Sequence, residues 1–83
     1  MYFVYVLKSL RDGNNYVGKT KNLDNRLEEH NRGYVESTKD RRPLRLIYTE
    51  MSNDLRDADY REKYLKTAWG KRYLKNRVRN DIT

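Results

Sequence analysis

The chain has no cysteine and a single histidine, His30. That removes disulfides, thiolate nucleophiles and sulfur-ligated zinc or iron–sulfur centres, and it excludes sites that need several imidazoles. Any catalytic metal would have to be held by oxygen, which suits magnesium or manganese. Long apolar runs are missing too, and none approaches the roughly 20 residues of a bilayer span. Met1-Tyr2-Phe3 lacks the basic start of a signal peptide. The expectation is a soluble, cytoplasmic protein, and the absence of cysteine fits a reducing compartment. No linker, internal repeat or low-complexity stretch divides the 83 residues, which read as one domain over positions 1–83. That is near the lower end of what folds without staples.

What the chain does have is tyrosine and positive charge. It carries eight tyrosines, and nineteen Lys and Arg against twelve Asp and Glu leave a net charge of +7. Such an excess favours a polyanionic partner, most commonly nucleic acid. The competing reading is a basic surface that serves only solubility.

Tyr2 to Leu7 is β-branched and aromatic and predicts a strand buried on both faces. Arg11-Asp12-Gly13-Asn14 supplies turn chemistry, and Asn15 to Thr20 predicts the returning strand of a hairpin. Thr20 or Asn22 caps a helix from about Leu23 to Arg32, which stops at Gly33. Residues 33–42 are polar, basic and aperiodic, and predict a loop. Pro43 opens a third strand through Leu44, Leu46, Ile47 and Tyr48. Ser52, Asn53 or Asp54 caps a long helix from Leu55 to about Trp69, Gly70 interrupts it, and Lys71 to Val78 makes a short last helix. The order β-β-α-β-α-α predicts an α+β domain, a three-stranded, mainly antiparallel sheet flanked by helices.

Several polar residues stand where these patterns call for apolar ones. On the first helix Leu23, Leu27 and His30 form one stripe and Arg26 lies beside it, as a snorkelling arginine would or as a residue held for chemistry. On the second, Leu55, Ala58, Leu65 and Trp69 predict an inward stripe whose missing member is Glu62. A carboxylate there needs a cation, either a salt bridge from Arg26 or Lys66 or a metal. If the hairpin pairs Tyr5 with Gly18, then Tyr5 and Tyr16 share one sheet face. Both phenols, Arg26, His30 and Glu62 are expected on that surface.

In order, these residues resemble a known family. Phe3-Val4-Tyr5 followed by Tyr16-Val17-Gly18 is similar to the paired tripeptides that name the GIY-YIG endonucleases, although Phe3 stands in place of the first glycine. The segment from Asn22 to Asn31 resembles the family's arginine-bearing helix, with His30 four residues after Arg26 as in small stand-alone members. Ala58 with Arg61-Glu62 resembles the segment carrying the metal-binding glutamate, and Asn76 is the nearest match to a late asparagine. The nuclease domain of bacterial excision-repair incision enzymes looks more distantly similar.

The resemblance implies Mg²⁺-dependent hydrolysis of DNA phosphodiesters, with Mn²⁺ as a substitute, in a repair or recombination setting. By it, Glu62 holds the metal, Tyr16 takes a proton from the attacking water, and Tyr5 orients the water or bonds the phosphate. Arg26 grips the phosphate. His30 bridges toward the phosphate or serves as an alternative base. A phenol with its ordinary pKa of about 10 is a poor base at neutral pH, so Lys19 and Arg26 are candidates to assist it. Lys39, Arg41 and Arg42 in the loop, with Lys71, Arg72, Lys75, Asn76, Arg77 and Arg79 toward the C-terminus, suit backbone binding that reads no sequence. Cleavage is therefore expected to follow DNA structure or only weak sequence preference. A nucleic-acid-binding module with little or partner-dependent turnover is the alternative. A homodimer or a partner protein is compatible with the small size.

Overall fold

β1 (Tyr2–Ser9) and β2 (Asn15–Thr20) form the expected antiparallel hairpin in a computed structural model that describes residues 1–78. Of the expected C-terminal cations, Arg79 lies outside the described residues. The turn is built by side chains. The Ser9 hydroxyl accepts from the amides of Arg11 and Asp12, and Asp12 accepts from the Asn14 amide. Gly13 takes the left-handed conformation that closes the turn, with φ 75°.

Tyr5 pairs opposite Gly18, the register on which the shared face of the two phenols is conditional. β3 (Leu44–Ser52) adds to the other side of β1, giving the antiparallel order β2-β1-β3. β1 is therefore central, and its run Val4-Tyr5-Val6-Leu7 is buried on both faces. A bulge falls at Ile47, because Val6 pairs with Tyr48 but Leu7 pairs with Leu46.

Helices cover both faces. α1 (Leu23–Asn31) is capped by Asn22, whose side chain accepts from the Asn25 amide, and the chain leaves it through Gly33 at φ 81°. Leu23 and Leu27 pack on the face formed by Tyr5, Leu7 and Leu44. α2 (Leu55–Leu65), capped by Asp54, and α3 (Ala68–Val78) cover the opposite face, where Val4, Val6 and Val17 meet Ala58, Leu65 and Leu74. Each such aliphatic side chain contributes about 1.5–3 kcal/mol on burial. Glu50 of β3 clamps both helices to the sheet. It accepts two bonds from Arg61, at 2.9 and 2.6 Å, and one from Tyr48, whose hydroxyl also meets that of Tyr73.

Two expectations about these helices are corrected. α2 ends at Leu65, so Trp69 does not continue its stripe and is 67% exposed, as is Leu55 at 44%. Gly70 does not break a helix but lies inside α3. The break comes at Lys66 and Thr67, where the Thr67 hydroxyl donates to the Tyr64 carbonyl and accepts from the Gly70 amide. A methyl group on Gly70 would overlap the Tyr64 carbonyl oxygen and the Leu65 backbone. Gly70→Ala is accordingly expected to lose about 2 kcal/mol through overpacking, measured as a lower urea midpoint. An unchanged midpoint would show that the α2–α3 contact adjusts freely.

The loop between α1 and β3 is more ordered than its aperiodic sequence indicates. It contains a short 3-10 turn at Lys39–Arg41, and it buries Val35 and Thr38.

Candidate active site

The hairpin places Tyr5 and Tyr16 on one face, as expected, with ring centres 6.4 Å apart. α1 brings His30 between them, edge-on to both, at 5.6 Å from the Tyr5 ring and 5.1 Å from the Tyr16 ring. The Tyr5 hydroxyl lies over Gly18, where any β-carbon would collide with it. Glycine in this strand interior therefore serves a close approach.

The burial of these groups differs sharply. Tyr5 is 1% exposed and His30 0%, whereas Tyr16 and Arg26 are half-buried. His30 makes two hydrogen bonds of 2.8 Å, Nε2 with the Tyr5 hydroxyl and Nδ1 with the Thr38 hydroxyl. A neutral imidazole donates from one nitrogen and accepts at the other. Thr38 therefore donates when Tyr5 accepts, and accepts when Tyr5 donates. Burial, with Arg26 nearby, pushes the His30 pKa down to about 4, so the ring is neutral at physiological pH. Burial also raises the Tyr5 pKa, opposed by a hydrogen bond to Arg26. The Arg26 guanidinium stays charged and is shared between Tyr5 and Glu29, the latter at 3.0 Å.

Glu62 is not on this face. It projects from α2, which packs on the opposite side of the sheet, because Ala58 and Leu65 take the buried stripe and leave Glu62 at the β2 edge. There it lies 3.9 Å from Lys19 and 3.4 Å from Lys66. The expected ion pair with Lys66 is present, and Arg26 pairs with Glu29 instead of Glu62. Alternation along β2 sends Lys19 to the α2 side, where it pairs with Asp59 as well as Glu62. It is thus committed to carboxylates and not to a phenol.

The model of the GIY-YIG catalytic domain matches residues 1–76. The chain belongs to the GIY-YIG family. UPF0213 proteins of Staphylococcus aureus strains Mu3 and MW2 are each 43% identical to it over 67 residues, 80% of this chain and 80% of theirs. The solution NMR structure of the UPF0213 protein of Bacillus halodurans is similar as well, with a TM-score of 0.55 at 31% identity, covering 89% of this chain and 82% of that one. The fold is accordingly GIY-YIG nuclease-like, and membership points to an endonuclease with DNA as its substrate. No helix among the described residues is long and apolar enough to cross a membrane.

The cations expected to bind nucleic acid divide into two groups within this GIY-YIG domain. Those of the loop are engaged in holding it. Arg41 bonds Asp12 at 2.9 Å and the Asn14 carbonyl at 3.1 Å, Arg42 bonds the Lys39 carbonyl, and Lys39 pairs with Glu36. On α3, Lys71 and Lys75 line a groove together with Lys8 and Arg45, two cations the sequence reading did not single out. Arg72 stacks over Trp69, and Asn76 is exposed. Thr38 and Asp59 were not predicted either. Thr38 sits in a segment without periodicity, but Asp59 lies three residues before Glu62 and so on the same helix face.

Proposed function

We propose that this protein is a metal-dependent endonuclease that hydrolyses DNA phosphodiesters with structural or weak sequence preference. One observation carries the reading. Tyr5 lies over Gly18 and packs with Tyr16 and His30, with Arg26 beside it, and Glu62 reaches the β2 edge of the same strand pair.

The donor chemistry fits a hard cation. Glu62 and Asp59 offer only oxygen, and among the described residues no cluster of three or more His, Cys, Asp or Glu side chains occurs. A cation held by one or two carboxylates keeps water and substrate oxygens for the rest of its shell, which is the habit of Mg²⁺. Bound there, it would supply charge stabilisation at the phosphate and the leaving oxygen.

The remaining chemistry falls to the chain. Arg26, partly exposed and permanently charged, grips the phosphate. Tyr16, the accessible phenol, takes the proton of the attacking water as its phenolate, having first released its own proton to solvent. Tyr5 and His30 are too deeply buried to meet substrate directly, which revises the roles that the resemblance assigned to them. They act as positioning residues, with Thr38 fixing the imidazole, His30 fixing Tyr5, and Tyr5 holding Arg26.

Supercoiled, branched and single-stranded DNA incubated with the protein and Mg²⁺ or Mn²⁺ tests the reading. Metal-dependent cutting of at least one substrate, lost on chelation, is expected. Salt-dependent binding with no cutting under any metal would overturn it in favour of a binding module.

A further inference from the structure

A groove of about 930 Å³ opens between the turn end of the hairpin, β3 and α3. Four cations line it, Lys8, Arg45, Lys71 and Lys75, and no carboxylate does. None of the four enters an ion pair among the described residues. Their placement works against the fold. Lys8 and Arg45 stand directly opposite each other in the β1–β3 register, and like charges facing across strands are destabilising. Lys71 and Lys75 are four apart on α3, which repeats the penalty on a helix. Two unfavourable pairs converging on one groove indicate a polyanionic occupant that offsets the repulsion.

The floor narrows the choice. Leu10 and Ile47 line it, and Leu10 is 57% exposed. A duplex presents phosphates and hides its bases, so it leaves such a floor unused. An unpaired strand offers phosphates to the rim and base faces to the floor. A second depression of about 280 Å³ shares Asn15 and Lys71 with the groove and is lined by Val17, Leu65, Lys66 and Leu74, on the α2–α3 side of the sheet. The groove therefore leads toward the β2 edge where Lys66 pairs with Glu62.

We infer that this groove holds a single-stranded stretch of the DNA substrate and feeds it toward the β2 edge where Glu62 stands. The direction of travel rests on the nuclease reading, whereas binding in the groove does not. The arrangement selects junctions, flaps or frayed ends, where unpaired nucleotides adjoin the bond to be cut.

The test measures binding of a fluorescein-labelled 12-nucleotide single strand by anisotropy in EDTA, across a range of salt concentrations. Two double variants are compared with wild type, Lys8→Ala with Arg45→Ala, and Lys71→Ala with Lys75→Ala. Each is expected to bind at least tenfold more weakly, with a salt slope smaller by roughly 0.7 per cation removed. Their thermal midpoints should hold or rise, because like-charge repulsion is relieved. Arg32→Ala with Arg56→Ala removes two exposed cations outside the groove lining and should change affinity less than threefold.

Unchanged affinity and slope in both groove variants would overturn the inference. So would a loss just as large in the Arg32 and Arg56 variant, or tighter binding of a duplex of equal length through the same four cations. Competition by polyglutamate of equal charge as effective as that of the DNA strand would assign the groove to acidic protein instead. Since chelator prevents cleavage, a protein that never cuts DNA would refute the nuclease reading and leave this result standing.

Discussion

Glu62→Gln is expected to leave the protein folded and to slow metal-dependent DNA cleavage roughly 10³-fold, the loss of about 4 kcal/mol of transition-state stabilisation. The substitution preserves shape and removes only charge. Its structural effect is small, because the partners at this edge, Lys19 at 3.9 Å and Lys66 at 3.4 Å, make partly exposed pairs that contribute at most about 1 kcal/mol. Asp59→Asn is the informative comparison. Asp59 is the closer partner of Lys19 yet more exposed than Glu62, 41% against 23%. If Glu62 is the metal ligand and Asp59 an anchor for Lys19, Asp59→Asn lowers activity only a few-fold. Single-turnover rates at saturating Mg²⁺, with binding measured separately in chelator, separate the two roles. Wild-type cleavage by Glu62→Gln would remove the metal site from the proposal. Equal losses in both variants would make the two carboxylates a joint site.

What the sequence revealed about this site and what it withheld have distinct physical causes. The hairpin was legible because two alternating strands flank the Arg11–Asn14 turn, and the pairing of Tyr5 with Gly18, posed as a condition, sets Tyr5 over Gly18 beside Tyr16. The α1 face was legible because Leu23, Leu27 and His30 recur at helical spacing between a capping asparagine and a left-handed glycine. The side of the sheet that α2 covers was not legible, since a stripe says that a face is buried and not against what. Placing Glu62 with the phenols followed from that gap. Extending the stripe to Trp69 assumed one straight helix, and only the packing of Gly70 on the Tyr64 carbonyl shows that the chain turns before it. Thr38 was invisible for another reason. Its role depends on a contact eight residues away in a segment without period. Lys8 and Arg45 look like ordinary strand charges until the register sets them face to face.

Acidification from pH 7 to pH 4 is expected to lower the stability of the protein by about 3 kcal/mol through His30 alone, about 2 of it by pH 5. The sign follows from the folded pKa of about 4 against an ordinary 6.5. Between those values the unfolded chain binds a proton that the folded chain refuses. Stability is therefore full above about pH 6.5, falls as pH drops through the window, and flattens below about 4. The groups around the ring oppose its charging. Tyr5, Tyr16 and Thr38 enclose it and Arg26 repels it, while Glu29 alone favours the charged form. Glu50 acts in the same direction but lower on the scale. Arg61 depresses its pKa, so the stability it contributes is lost only as pH falls below the usual carboxylate range. Urea titrations at pH 7, 6 and 5 isolate the imidazole. His30→Gln, which carries an amide in its place, is expected to be less stable at pH 7 yet nearly flat over this interval. Cleavage by wild type at pH 5 should decline together with stability, because a charged ring can only donate to the Tyr5 and Thr38 hydroxyls. A His30→Gln protein with the wild-type pH slope would show that the buried imidazole does not govern the acid response, and would leave Tyr5 without the partner that the proposed site gives it.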